Sequence, residues 1–236
     1  LVSGWKNACD IAGVSWGGGE TPVLSGIIYP ETIDLAGSAV GIITSGQRLI
    51  IESKLKAGDR ILLLKSTGIN ANGITLARTV AKKLLTGYGT KLSEDELFGN
   101  TLLNKSNIYA RLVQDLLDAE IDIHYISNIT GHGLRKVMRA KREFTYILEN
   151  ILEPQEVFGF IQKHAGLTDK EMYETYNMGM DYAIFLPEAH VNKTQSIVRQ
   201  NGFESIHAGY VEDGERKVIL KAKNIILEGE SLKLKT

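Results

Sequence analysis

The chain has almost no cysteine: Cys9 is the single one among 236 residues. One thiol excludes an internal disulfide framework and any multi-cysteine zinc or iron–sulfur site. No sign of charge dominates either. With 27 Lys+Arg against 28 Asp+Glu the formal net charge is −1, which argues against a dedicated nucleic-acid binder or a polybasic membrane partner. Long apolar runs are missing too. Ile61-Leu62-Leu63-Leu64 is among the longest, far short of the roughly 20 residues a membrane-spanning helix needs. Neither a Walker-type loop nor a strand-bound G-x-G-x-x-G occurs, so standard P-loop and Rossmann sites are not expected. No fixed-period repeat or low-complexity tract is present. Proline is scarce, with four residues, whereas glycine is plentiful, with 24. Without a collagen-like period, these glycines mark turns and close backbone approaches. The 43% hydrophobic and 23% charged content is that of an ordinary globular chain.

The chain starts at Leu1, without a methionine, and opens into a helical pattern. Leu1, Val2, Trp5, Ala8, Cys9 and Ala12 share a face, and Gly13 is a stop. This predicts a core position for Cys9 and a fragment or processed product for the chain. Strand-like pieces follow at 26–29, 33–44 and 48–51. The small residues Ala36, Gly37, Ser38 and Ala39 suggest close approach by another backbone. Residues 1–53 hold too few large apolar groups for a core of their own. After a polar hinge at 54–60 the pattern changes to a layered, mixed α/β domain over 54–236. Strands are expected at 61–65, 121–126, 144–148, 182–186, 206–211 and 217–220. Helices are expected at 74–85, 107–119, 157–164, 169–176 and 189–200.

Two loops carry the strongest chemical signal. Ser66-Thr67-Gly68-Ile69-Asn70-Ala71-Asn72-Gly73 lies between a hydrophobic strand and an amphipathic helix. Its glycines, hydroxyls and amides, with the free N–H groups of the following helix, form a seat for phosphate or another anion. The plain alternative is a turn with an Asn cap. Asn128-Ile129-Thr130-Gly131-His132-Gly133 repeats the design before a second helix. Together they suggest a phosphorylated small molecule held at strand ends. His132 can bind phosphate or shuttle a proton, or it is simply a polar loop residue. Glu20, after the glycine run 17–19, and Asp34 offer oxygen ligands for Mg²⁺, or are solvated turn residues. Gly13-Val14-Ser15-Trp16-Gly17 fits G-x-S-x-G but lacks the strand before and helix after that a nucleophile elbow needs. Ser93-x-x-Glu96 and Thr168-x-x-Glu171 are read as capping boxes. The basic run Arg135, Lys136, Arg139, Lys141 and Arg142 is a solvated helix face or a screen for phosphate charge.

The order of these motifs resembles the phosphoribosylformylglycinamidine cyclo-ligase family, the aminoimidazole ribonucleotide synthetases. The resemblance rests on Gly18-Gly19-Glu20-Thr21, Asp34-Leu35-Ala36-Gly37, Gly58-Asp59 and the 66–73 loop. It continues through 103–109 and Ile129-Thr130-Gly131-His132-Gly133. It is most specific at Glu171-Met172-Tyr173-Glu174-Thr175-Tyr176-Asn177-Met178-Gly179-Met180, which is similar to the family's EM-x-x-TFNMG signature. The family normally has a histidine where Asn70 stands and a glycine run where His132 stands, and the Lys105-Ser106-Asn107 stretch replaces its PTR.

The resemblance implies a partial amino-terminal ATP-domain sheet over 1–53, used for nucleotide binding and dimerisation. It implies a complete carboxy-terminal α/β substrate domain over 54–236. The activity implied is ATP-dependent closure of formylglycinamidine ribonucleotide to aminoimidazole ribonucleotide, in a cytoplasmic homodimer using ATP and Mg²⁺. Asn70 and His132 are assigned to catalysis. Ser66, Thr67, Gly68, Asn72 and Gly73 are assigned to substrate, with Thr130, Gly131 and Asn177. Glu20 and Asp34 are assigned to nucleotide and metal. Two alternatives stand: a non-catalytic phosphosugar- or nucleotide-binding paralogue, and another ATP-using member of the superfamily.

Overall fold

A computed structural model of the protein describes residues 1–231. The chain divides into two compact units, Leu1–Leu49 and the residues from Ile50 on. In chain order the helices and strands are α1 (Val2–Ala12), β1 (Arg60–Lys65), α2 (Ile74–Lys83), α3 (Phe98–Thr101), α4 (Ala110–Asp118), β2 (Tyr125–Asn128) and β3 (Phe144–Leu148). There follow α5 (Glu156–Ala165), α6 (Asp169–Thr175), β4 (Met180–Leu186), α7 (Val191–Gln200), β5 (Ser205–Asp213), β6 (Lys217–Leu220) and β7 (Ile225–Glu228).

All seven strands join one sheet in the order β2-β4-β1-β5-β3-β6-β7. Its pairings are antiparallel except for β3 with β6. The interior strand β1 explains the unbroken Ile-Leu-Leu-Leu run. Successive side chains point to opposite faces, and here both faces are covered. Ile61 and Leu63 enter a core with Ala77 and Val80 of α2, Phe158 and Ile161 of α5 and Met172 and Tyr173 of α6. Leu62 and Leu64 enter a second core with Leu112 and Leu116 of α4 and Val191 and Val198 of α7. All four β1 side chains are fully buried, each contributing about 1.5–3 kcal/mol of apolar transfer. The unit is thus a sheet between two helical layers, the mixed α/β class expected.

Several boundaries differ from the sequence expectation for local reasons. The strand expected from residue 121 begins at Tyr125. Upstream the Ile123 N–H bonds back to Ile121 O at 2.9 Å, a turn that keeps 121–123 out of the ladder, while His124 N–H donates to Phe185 O of β4 at 2.9 Å. Ser93-x-x-Glu96 starts no helix: Ser93 N–H donates to Glu96 O at 3.3 Å, closing a turn before α3. At Thr168 both halves of the capping box are formed. The β7 edge was not anticipated.

In the first unit α1 ends at Gly13 in the left-handed conformation, φ 72°, as the pattern predicts. The strand-like pieces at 26–29, 33–44 and 48–51 form no strand. One isolated bridge, Ser25 with Ile28, is all the pairing recorded among them. No residue of 1–49 is buried, so nothing desolvates these segments enough to favour ladder bonding over water. Cys9 is half-buried and free, not a core residue. The close approach expected at the small-residue stretch is made by a ring: a Cβ on Gly37 would lie 2.7 Å from the Trp5 indole. Among the described residues, no helix is long and apolar enough to cross a membrane.

Candidate functional site

The loop after β1 is braced from below. Ser66 N–H donates to Gly179 O at 2.9 Å, and Gln155 Nε2 donates to Ser66 O at 2.5 Å. Asn177 is buried and fully engaged. Its Nδ2 donates to Gly68 O at 2.9 Å, and its Oδ1 accepts from Gly179 N–H at 3.0 Å. Ser66 Oγ lies 3.1 Å from both Gly68 O and Asn177 Oδ1. Thr67 Oγ1 donates to Lys105 O at 2.6 Å. Buried amides must be paired to offset lost hydration, so this network fixes the loop's path while leaving few of its own groups for a ligand.

Two glycines set how closely the loops meet the 171–180 segment. Gly73, the N-cap of α2, has φ 71°, and a Cβ there would lie 2.1 Å from the Tyr176 ring. The Tyr176 hydroxyl donates to Gly73 O at 2.9 Å. Gly133, at φ 58°, opens a short 3-10 turn (Gly133–Met138), and its Cβ would lie 2.2 Å from Tyr173 O. The most family-specific stretch of the sequence therefore acts as a common brace for both loops.

Above this brace lies a cavity of about 520 Å³. Asn70 and Asn72 line it from the first loop, Asn128 and Thr130 from the second, Ser106, Asn107 and Tyr109 ahead of α4, and Asp181 and Tyr182 from β4. Its lining includes no Lys, Arg or His. The start of α2 lies just after Asn72, with Gly73 as an N-cap that makes no side-chain hydrogen bond.

Asp181 is the one carboxylic acid in the cavity wall, and it is 2% exposed. Tyr109 OH donates to its Oδ1 at 2.5 Å, and Asn70 Nδ2 donates to its Oδ2 at 3.0 Å. Asn107 Nδ2 donates in turn to Tyr109 OH and to Lys65 O, both at 2.9 Å, so the Tyr109 proton is aimed at Asp181. Burial pushes the Asp181 carboxyl up, against the hydrogen bonds from Tyr109, from Asn70 and from its own backbone that lower it. Burial and then Asp181 push the Tyr109 phenol well above its ordinary value. Tyr182 stacks on Tyr109 with ring centroids 4.4 Å apart, and burial and Asp181 raise its hydroxyl to about 12.

Of the residues singled out in the sequence, Asn70, Asn72 and Thr130 come together at the cavity. Ser66, Gly68, Gly73 and Asn177 lie in the brace, and Thr67 is tied to Lys105. Gly131 backs Asn72, with its Cβ position 3.6 Å from Asn72 Oδ1. His132 is exposed and outside the lining, with Nδ1 2.8 Å from Gly131 O. The basic run is no uniformly solvated face: Lys136 is 8% exposed, and burial, then Arg139, lower its ammonium. Arg135 donates to Glu174 O at 2.9 Å. In the other unit Glu20 and Asp34 are both exposed. Among the described residues no three His, Cys, Asp or Glu side chains converge as a metal cage.

Sequence reasoning missed Asp181, Tyr109 and Tyr182. The signal for Asp181 was present: it is the single charge in the apolar strand Met-Asp-Tyr-Ala-Ile-Phe-Leu, where an unpaired carboxylate is costly to bury.

Comparison with known proteins agrees with the fold. The sequence model of "AIR synthase related protein, C-terminal domain" matches residues 56–221. The phosphoribosylformylglycinamidine cyclo-ligase of Methanosarcina barkeri is 36% identical over 199 residues, covering 84% of this chain and 58% of that protein. The enzyme of the same name from Methanocaldococcus jannaschii is 33% identical over 240 residues, covering 97% and 68%. Among solved structures, the hydrogenase maturation protein HypE in complex with ATP superposes with a TM-score of 0.52 at 16% identity, covering 75% of this chain and 52% of that one. At that identity the likeness speaks to fold alone. The chain spans 58% of the length of the Methanosarcina relative.

Proposed function

We propose, because this chain belongs to the AIR synthase related protein family, that it serves the ring closure of formylglycinamidine ribonucleotide to aminoimidazole ribonucleotide. The observation that carries the reading is the cavity of about 520 Å³ between the two loops, walled by neutral amides and hydroxyls and one buried carboxylate. Asn72, Asn128 and Thr130 offer donors and acceptors to the polar groups of a ribonucleotide. The start of α2, just after Asn72, is the group we assign to its phosphate. The brace from Tyr173 to Gly179 holds these groups in place before the ligand arrives, which lowers the ordering cost of binding.

ATP and Mg²⁺ enter the reading through the family. When bound, ATP supplies the activation that turns the formyl oxygen into a leaving group. Glu20 and Asp34 are the residues we assign to that side of the reaction. Mg²⁺ is commonly held by one or two carboxylates together with phosphate oxygens and water, so two exposed carboxylates suit it by donor chemistry. The division of labour we favour is residues 1–53 for nucleotide and dimerisation and 54–236 for substrate, in a cytoplasmic homodimer.

A second reading, ligand binding without turnover, draws on two observations. Asn70 is an amide and does not titrate near neutral pH, so it cannot do acid–base work, and His132 stands outside the cavity lining. The test is calorimetric titration with formylglycinamidine ribonucleotide, followed by assay of ADP release from ATP. Binding with ADP release supports ring closure. Binding without it supports the second reading, and no binding defeats both.

A further inference from the structure

The cavity lies beyond the ends of β1 and β2. Ahead of the same two strands, at the other end of the sheet, sits a buried ion cluster that the substrate reading does not use. Asp59 stands just before β1 and His124 just before β2, and their side chains are 1% and 5% exposed. His124 Nδ1 lies 2.9 and 2.8 Å from the two oxygens of Asp59, and its Nε2 lies 3.0 Å from Asp122 Oδ2. Asp122 carries the cluster outward. Its Oδ1 accepts from Lys54 Nζ at 2.9 Å, and Lys54 ends the 3-10 turn Glu52–Lys54. The neighbouring charges are engaged elsewhere: Arg60, beside Asp59, pairs with Glu188 at 2.7 Å, and Lys193 of α7 donates to Ala119 O at 2.7 Å. From β4, Phe185 O accepts from His124 N–H at 2.9 Å.

A neutral imidazole has one N–H and one lone pair, whereas the imidazolium donates from both nitrogens. With a carboxylate against each nitrogen, only the imidazolium satisfies this geometry in full. The two carboxylates are not equivalent. Asp59 is sealed from water, and Lys56 N–H, 3.0 Å from its Oδ2, is its other donor. Asp122 is 46% exposed, and Lys54 first, then His124, hold its carboxyl below the ordinary value against burial. We propose that His124 is a proton-operated latch at the entry to the sheet. Doubly protonated, it bridges Asp59 to Asp122 and, through Lys54, fastens the Glu52–Lys54 turn. Neutral, it keeps its proton on Nδ1 for Asp59 and turns a lone pair toward Asp122, which swings to water with Lys54. The release is local, because Glu52 Oε2 still accepts from Lys141 N–H at 2.8 Å and Leu55 stays in the core. The fastening is complete at acid pH and is lost as pH rises and the ring gives up its proton.

The experiment is nitrogen NMR of the histidine rings in the full chain, with amide exchange, from about pH 5 to about pH 8. Both His124 ring nitrogens are expected to carry protons at the acid end. The neutral ring is expected to keep its proton on Nδ1. The Leu55 and Ile123 amides close the two turns that hold Lys54 and Asp122. Their protection, corrected for the intrinsic rise of exchange with pH, is expected to fall about tenfold at the ring's titration, as loss of one charge-assisted hydrogen bond implies. Asp122→Asn, a change at a half-exposed side chain, is expected to leave a folded chain without that step. A ring that keeps one charge state throughout overturns the inference, as does a neutral ring protonated on Nε2. Protection that does not change at the titration also overturns it, and so does an equal step in Asp122→Asn. None of these outcomes bears on the substrate reading.

Discussion

At Gly73 a single hydrogen atom in place of a side chain sets the depth of the first loop. Alanine there meets both a positive φ and a ring 2.1 Å away. Left-handed strain of about 1–2 kcal/mol and overpacking of about 1–3 kcal/mol add to an expected loss near 3 kcal/mol for Gly73→Ala, read by urea unfolding. A loss under about 0.5 kcal/mol would mean that the loop is not held against Tyr176. Asp181 makes a second prediction. Burial raises its carboxyl above the ordinary value of 3.8, so the folded state binds that proton more readily than the unfolded chain. Its stabilising contribution is complete below the unfolded value and is lost as pH rises through the folded one. Asp181→Asn, which does not titrate, should gain in Tm relative to wild type as pH rises above the ordinary carboxyl value. A Tm difference that stays flat, or falls with pH, contradicts it. At this scale the sequence was partly legible. Asn70, Asn72 and Thr130 are visible because loops rich in small polar residues stand out. Asp181 is hidden in a strand, and Tyr109 becomes recognisable only when folding brings it to a carboxylate 72 positions away.

Elements were easier to read where one physical signal dominated. β1 and β3 announce themselves by apolar runs, and α6 by its capping box. Thr168→Ala removes the hydroxyl that accepts from Glu171 N–H at 3.3 Å and should cost about 0.5–2 kcal/mol, checked by thermal unfolding. Because α6 carries Tyr173 behind Gly133 and leads into Tyr176 behind Gly73, the same change should also weaken ligand binding. Unaltered affinity despite lower stability would separate the cap from the brace. Reading failed where pairing depends on distant partners. The pieces at 26–29, 33–44 and 48–51 have strand-like composition, yet a ladder needs a neighbour to share it. Residues 121–123 were lost to a local turn, and the edge strand β7 needs β6 to exist at all.

For the molecule as a whole, the two units differ in how they are sustained. All the buried residues lie in the unit from Ile50 on, and none in 1–49. A chain starting at residue 50 should therefore unfold cooperatively with a Tm within about 5 °C of the full chain, since little buried surface is removed. Loss of the cooperative transition would show that the first unit supplies packing the sheet requires. The seven-stranded sheet, the two cores and the cavity all belong to the second unit, the part matched by the family model over 56–221. The mixed α/β class was legible because helix and strand periods alternate throughout that stretch. The cavity was legible only as two loops of like design, since nothing local states that they face each other across β4. The most direct measurement is amide chemical-shift mapping of the chain on titration with formylglycinamidine ribonucleotide. The account predicts saturable shifts concentrated at 70–72, 128–131 and 181–182. Shifts that saturate elsewhere while those amides stay unmoved would contradict it.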